Sequence, residues 1–210
     1  MKPRTVLGII ASPRRKNSTT LRLVEAVLAG AGDEGAATEL VDLYSLKIKN
    51  CTACNHCFAT GECALKDDFP ALLDRLIAAD GIVLGAPNYF DSVPGPVKTL
   101  FDRMSGALLS QKFAGKFACS VATAGGPDAK KVTGYMNYVI QEVGANIVGS
   151  AGASTGMDPE ELEAAVPKAR ELGRYLVCSI RGEITYPDQD RLHEGKREFF
   201  SHLKGQGGST

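Results

Sequence analysis

Thr5-Val-Leu-Gly-Ile-Ile-Ala-Ser-Pro-Arg-Arg-Lys-Asn-Ser-Thr-Thr20 decides how this 210-residue chain folds. Residues 5–11 form an apolar run rich in β-branched side chains that stops at Ser12-Pro13, as a buried strand does. Leu21, Leu23, Val24, Val27 and Leu28 then recur at helical spacing within 19–31, and Gly32 follows as a stop. A buried strand, a polar loop and a helix in that order open a βαβ unit.

The same alternation continues outward. Strands are predicted at 38–43, 82–86, 117–123 and 145–150. Helices are predicted at 67–77, 96–109, 132–143 and 160–180. Asp67-Asp68 reads as a helix cap, not as a carboxylate pair for acid–base work. The expectation is an α/β fold: a doubly wound, five-stranded parallel sheet in the flavodoxin-like order 2-1-3-4-5, with helices on both faces. One domain spans 1–181, interrupted at about 44–66 by a cysteine-rich loop without periodicity. After it, 184–187 reads as extended, 190–204 as a charged helix and 205–210 as disordered. The extension 182–210 reads as a surface appendage or an oligomer arm.

The 24 basic and 24 acidic side chains balance, so nothing electrostatic argues for nucleic acid or an anionic membrane as partner. No apolar run is long enough to span a bilayer. The N-terminal apolar run leads directly into a loop and reads as a strand, not a signal peptide. The default compartment is the cytoplasm, where clustered cysteines favour metal or redox roles over structural disulfides.

Ligands of an open parallel sheet bind beyond the C-terminal strand ends, where strand order reverses. Three loops fall there. In the first, Ser12, Asn17, Ser18 and Thr19 can donate to phosphate oxygens at a helix N-terminus, and Arg14 can add a charge-assisted bond. In the second, Pro87, Asn88, Tyr89, Phe90 and Ser92 can hold a planar ring, with aromatics and backbone polar groups. The third, Thr123-Ala124-Gly125-Gly126, brings bare backbone close. Each loop alone is equally an ordinary cap or turn. Together they describe a mononucleotide lying across the switch point, as FMN would.

Four of the six cysteines fall in Cys51-Thr-Ala-Cys54-Asn-His-Cys57-Phe-Ala-Thr-Gly-Glu-Cys63. An irregular loop can fold thiolates at that spacing around an iron–sulfur cluster, with Gly61 letting the chain double back. Zinc also accepts four thiolates, usually as separated C-x2-C pairs, and free thiols are a third reading. Spacing alone leaves the three open. Cys119 and Cys178 read as packing residues. His56 is a spare beside four cysteines, and His193 and His202 read as solvated.

Gly8-Ile-Ile-Ala11-Ser12-Pro13-Arg14, Asn17-Ser18-Thr19-Thr20 and Gly85-Ala-Pro-Asn-Tyr-Phe-Asp-Ser-Val-Pro94, with Lys98 and Asp102-Arg103, resemble the NAD(P)H-dependent FMN reductase branch of flavodoxin-like proteins. The cysteine run is similar to that of the iron–sulfur flavoproteins. The resemblance covers about the first 150 to 180 residues, the size of one domain. It implies bound FMN and a [4Fe–4S] cluster held by Cys51, Cys54, Cys57 and Cys63. By the same resemblance, phosphate roles fall on Ser12, Arg14, Asn17, Ser18 and Thr19. Ring contacts fall on Pro87, Asn88, Tyr89, Phe90 and Ser92, with the third loop contributing Thr123, Ala124 and Gly125. It also implies a homodimer or dimer of dimers.

The function expected is that of an electron-transfer iron–sulfur flavoprotein, a flavin-dependent oxidoreductase with NAD(P)H or a ferredoxin as donor and a small molecule as one possible acceptor. The flavin carries the chemistry, so no catalytic side chain is expected. The alternatives are an NAD(P)H-dependent FMN, quinone or nitro reductase without a functional cluster, and a thiol or flavin redox sensor.

Overall fold

Alternation along each strand sends side chains to two separate cores. Leu7, Ile9, Ile82 and Leu84 face one side, and Val6, Ile10 and Val83 face the other, as a strand period of two requires. The computed structural model describes residues 3–156 and 158–206. Its strands are β1 (Thr5–Ile10), β2 (Ala37–Asp42), β3 (Gly81–Pro87), β4 (Phe117–Ala124) and β5 (Asn146–Ser154). Its helices are α1 (Thr19–Asp33), α2 (His56–Thr60), α3 (Phe69–Ala78), α4 (Gly95–Arg103), α5 (Ser105–Ser110), α6 (Ala129–Glu142), α7 (Pro159–Ile180) and α8 (Pro187–Gln206). All strand pairs are parallel, in the order β2-β1-β3-β4-β5. The predicted sheet is therefore the observed one.

One face is covered by α1 and α7, which bury Leu23, Val24, Val27, Leu172, Leu176 and Val177. The two helices touch backbone to backbone. A Cβ on Gly30 would lie 1.8 Å from the Arg170 carbonyl oxygen, and one on Gly173 would lie 1.9 Å from that of Val27. No larger residue fits at either position. The other face carries α3, α4 and α6 over Phe69, Leu72, Leu100, Phe101, Met136 and Ile140.

Beyond shifts of one to three residues at element ends, three features differ from the sequence reading. The helix predicted at 96–109 is two helices, broken at Met104, whose ψ of 7° ends α4. The bend seats Gly106 on the cysteine segment, where a Cβ would meet the Gly61 carbonyl oxygen at 2.8 Å. Strand β5 continues to Ser154, because the small residues Ala151 to Ser154 pair with Val121 to Ala124 of β4.

The third difference is the tail. Helix α8 begins at Pro187 and includes Gly205 and Gln206; the rest of the segment expected to be disordered, 207–210, lies outside the described residues. α8 docks on the fold. The Gln189 side-chain amide accepts from the Ile147 N–H at 2.8 Å and donates to the Ile147 carbonyl at 3.0 Å. Asn146 donates to Asp190 at 2.7 Å, and Lys196 to Glu142 at 2.7 Å. His193, expected to be solvated, is only 3% exposed, because it lies on the docked side of the helix. Among the described residues, no helix is long and apolar enough to cross a membrane.

Candidate functional site

The C-terminal ends of β1, β3, β4 and β5 surround a cleft of about 300 Å³. Its first wall comes from the loop after β1: Ser12, Arg14, Ser18 and Thr19, with Thr20 behind them. Ser12 and Ser18 are buried and Arg14 is exposed. Ser18 is the N-cap of α1, its Oγ accepting from the Leu21 N–H at 3.2 Å, which leaves the helix N-terminus facing the cleft, a favourable place for an anion.

Pro87, Asn88 and Tyr89 form the second wall, and Thr123, Ala124 and Gly125 the third. These two walls are tied together: the Asn88 N–H donates to the Thr123 carbonyl at 2.7 Å. The first and third walls meet through hydroxyls. Thr20 Oγ1 lies 2.5 Å from Thr123 Oγ1, and Thr19 Oγ1 donates to the same oxygen at 3.3 Å. Asn88 Oδ1 is buried without a hydrogen-bond partner. A buried acceptor left unpaired is costly, and a ligand that donates to it removes the cost.

Ten of the thirteen residues expected at the cofactor line this cleft. Asn17, Phe90 and Ser92 do not. Asn17 is exposed and ends a 3₁₀ turn, Arg15–Asn17. Phe90 and Asp91 occupy the tip of a tight turn closed by Tyr89–Ser92 backbone bonds of 2.9 and 3.1 Å. Both tip residues have left-handed φ, 52° and 60°, and the Phe90 side chain is fully exposed. Lys131 holds the tip through Asp91 at 3.1 Å.

The sequence reading missed Thr20, Thr155 and Gly156. Thr20 stood inside the quoted loop but was counted as helix. Thr155 and Gly156 follow the stretch of β5 that was not recognised. A Cβ on Gly156 would lie 2.2 Å from the Gly125 carbonyl oxygen, so Thr155-Gly156, the fourth wall of the cleft, closes against the third only with glycine there.

Residues Ile10 of β1 and Asp42 of β2 are register partners, so the segment after β2 leaves the sheet beside the first wall of the cleft. This segment carries the cysteines. Lys47 and Lys49 donate their N–H groups to Asp68 and Asp67 at 2.7 and 2.9 Å. Asp67 also accepts from the Phe69 N–H at 3.0 Å, so it does cap α3 as expected, while Asp68 makes no side-chain cap bond. Asp67 has a larger task. Arg103 donates to its two oxygens at 2.7 and 3.1 Å, and the two side chains are 0% and 3% exposed.

Cys51 and Cys54 are exposed, and Cys57 and Cys63 half-buried; all four are free thiols. Left-handed backbone at Ala53, Asn55 and Gly61 turns the segment around the short helix α2, with Gly61 at the bend where glycine was expected. Cys63 Sγ accepts from Arg103 Nε at 3.2 Å. Burial raises the Cys57 thiol, and the neighbouring Cys63, Cys51 and Cys54 raise it further. The Cys54 thiol is lowered by the His56 backbone N–H and by Thr52. Among the described residues, no three His, Cys, Asp or Glu side chains are gathered closely enough to hold a metal ion. The donor chemistry of four unpaired thiols nonetheless suits a thiolate-ligated centre. Cys119 is buried, its thiol pushed up to about 12 by desolvation, in keeping with a packing role.

Residues 4–159 match the family model described as NADPH-dependent FMN reductase. An iron-sulfur flavoprotein of Archaeoglobus fulgidus is 30% identical over 203 residues, covering 96% of this chain and 91% of the relative. An iron-sulfur flavoprotein of Methanocaldococcus jannaschii is 37% identical over 127 residues, 59% of this chain and 65% of the relative. Among solved structures, an NAD(P)H:quinone oxidoreductase from Methanothermobacter marburgensis superposes with a TM-score of 0.64 at 22% identity, covering 83% of this chain and 97% of that one; at that identity the likeness is one of fold. With this sheet, this cleft and these relatives, the chain belongs to the NADPH-dependent FMN reductase family, in its iron–sulfur flavoprotein branch.

Proposed function

We propose that this protein is a flavin-based electron-transfer oxidoreductase whose cleft binds FMN and whose Cys51, Cys54, Cys57 and Cys63 hold a [4Fe–4S] cluster. The observation that carries the proposal is the placing of four free thiols on a segment that leaves β2 beside the loop forming the first wall of the cleft. Bound FMN supplies two-electron chemistry, and a cluster supplies single-electron chemistry. The chain's own part is placement. Ser12, Arg14 and Thr19 receive the phosphate at the start of α1, Asn88 Oδ1 accepts from a ring N–H, and Tyr89 covers the ring.

Anaerobic purification tests this reading. FMN near one per chain, with iron and acid-labile sulfide about four each, is the expected result. Yellow protein without iron, prepared and reconstituted without oxygen, would sink the cluster.

A second reading is an NAD(P)H-dependent FMN reductase without a cluster. It is favoured by the spread of the four thiols, no three of which are gathered at metal-binding distance. Steady NAD(P)H oxidation with a quinone acceptor by iron-free protein supports it.

A further inference from the structure

Arg103 lies outside the flavin cleft, and the function proposed above gives it no task. Its side chain is wholly buried, a costly place for a charge that is never neutralised. Its hydrogen-bond partners all lie on the cysteine segment or at its two ends. Nη1 donates to Asp67 Oδ2 at 2.7 Å and to the Lys49 carbonyl at 2.8 Å, Nη2 donates to Asp67 Oδ1 at 3.1 Å, and Nε donates to Cys63 Sγ at 3.2 Å. The Phe69 ring covers the guanidinium at 4.6 Å. Lys49 stands just before Cys51, and Asp67 just beyond Cys63. One arginine thus joins the start of the cysteine loop, its end and its last sulfur.

We propose that Arg103 is the positioning residue of the cysteine loop, fixing Cys63 as the preset ligand around which Cys51, Cys54 and Cys57 close, and holding a permanent positive charge against that sulfur. The inference rests on the cluster reading above. A hydrogen bond to a ligand sulfur, with a cation behind it, favours the more negative, reduced state of a cluster and raises its potential. Asp67 offsets part of the charge, but the N–H aimed at Cys63 remains. Lysine cannot replace this arrangement. Its ammonium is a point donor, whereas the guanidinium fork reaches a carboxylate, a carbonyl and a sulfur in one plane.

The test compares wild type with Arg103→Lys and with the double variant Arg103→Met/Asp67→Asn, because Arg103→Met alone strands a buried carboxylate. In metal-free protein, amide hydrogen exchange across 51–63 reports loop order. After anaerobic reconstitution, an electron paramagnetic resonance titration reports the cluster midpoint. The double variant is expected to exchange at least tenfold faster across 51–63. Its cluster equilibrium should shift about tenfold toward the oxidised form, 59 mV lower for a one-electron couple. Arg103→Lys should move both readouts in the same direction by less. Exchange as slow as in wild type overturns the positioning role, and an unmoved midpoint overturns the electrostatic one. If wild type takes up no iron or sulfide, the cluster reading fails and the electrostatic role fails with it, while exchange in the metal-free protein still decides the positioning role.

Discussion

Thr20 and Thr123 meet hydroxyl to hydroxyl at 2.5 Å, out of solvent, and so join the first turn of α1 to the end of β4. Thr19 donates to the same Thr123 oxygen. Thr123→Val keeps the shape but removes the shared acceptor. It is expected to destabilise the protein by about 1–2 kcal/mol and to weaken FMN binding, because both threonines line the cleft. Urea melts with and without FMN measure both effects.

Asn88 separates ligand binding from folding. Its Oδ1 is buried and unpaired in the free protein, so removing it leaves nothing stranded. Asn88→Ala should leave the flavin-free protein at least as stable as wild type, because the unpaired buried acceptor goes with the side chain. FMN affinity should fall about tenfold, or about 1.4 kcal/mol. Fluorescence quenching titrations read the affinity, and an unchanged Kd would show that the amide plays no part in holding the ring.

The turn at Phe90 and Asp91 holds two non-glycine residues in left-handed backbone, each costing about 1 kcal/mol or more. The double substitution Phe90→Asn/Asp91→Gly supplies the residues such a turn prefers. Stability is expected to rise by about 1–2 kcal/mol, less the small loss of the exposed Lys131 pair. Because Phe90 stands off the cleft wall, FMN affinity should not change. A large loss of affinity would restore Phe90 to the ring contacts its sequence position suggested.

Asp67 gives the fold an acid limit. Burial favours its protonated form, but the Arg103 hydrogen bonds and the Lys49 and Phe69 amides outweigh burial and hold the carboxyl at about 2, below its ordinary 3.8. A depressed acid stabilises above its unfolded value. About 2 kcal/mol is therefore present above pH 3.8 and is lost as pH falls toward 2. Asp67→Asn should lower stability at pH 7 and flatten the melting temperature across that window.

His193 sets a milder limit at the tail. Burial holds the imidazole below its ordinary 6.5; Lys196 and Arg197 add to this, against Asp190 and the Ala145 backbone. Both ring nitrogens lack partners. The unfolded chain takes up the proton more readily, so stability is full above pH 6.5 and declines as pH falls below it. The protection of the Ile147 amide, taken relative to the intrinsic exchange rate at each pH, should fall as α8 loosens, and His193→Leu should abolish that pH dependence.

The fold was legible because its strands are short apolar runs and its helices carry clean periodicity. Where side chains are small, the signal failed. Ala151, Gly152 and Ala153 look like a loop and are strand, and with them Thr155 and Gly156 were lost from the site. Most cleft residues were legible from loop position alone, since topology brings the C-terminal strand ends together. Arg103 was not. In the sequence it is part of a family-like motif inside a helix expected over 96–109, and only the bend at Met104 and the return of the chain at Asp67 put it beside Cys63. His193 was misread for the same reason, because nothing in a charged helix says which face will dock.

Gln189 gives the C-terminal helix a role beyond covering surface. β5 is an edge strand, and its Ile147 N–H and carbonyl are both satisfied by one side-chain amide, while Asn137 occupies the Gly149 carbonyl. A sheet edge with free backbone groups is a template for another chain. Cutting the polypeptide at 181 would leave the cleft residues in place and free the Ile147 N–H and carbonyl, so the shortened protein should still bind FMN yet associate more readily through this edge. The docked tail thus closes, at Ile147, an edge that would otherwise be open to a second chain.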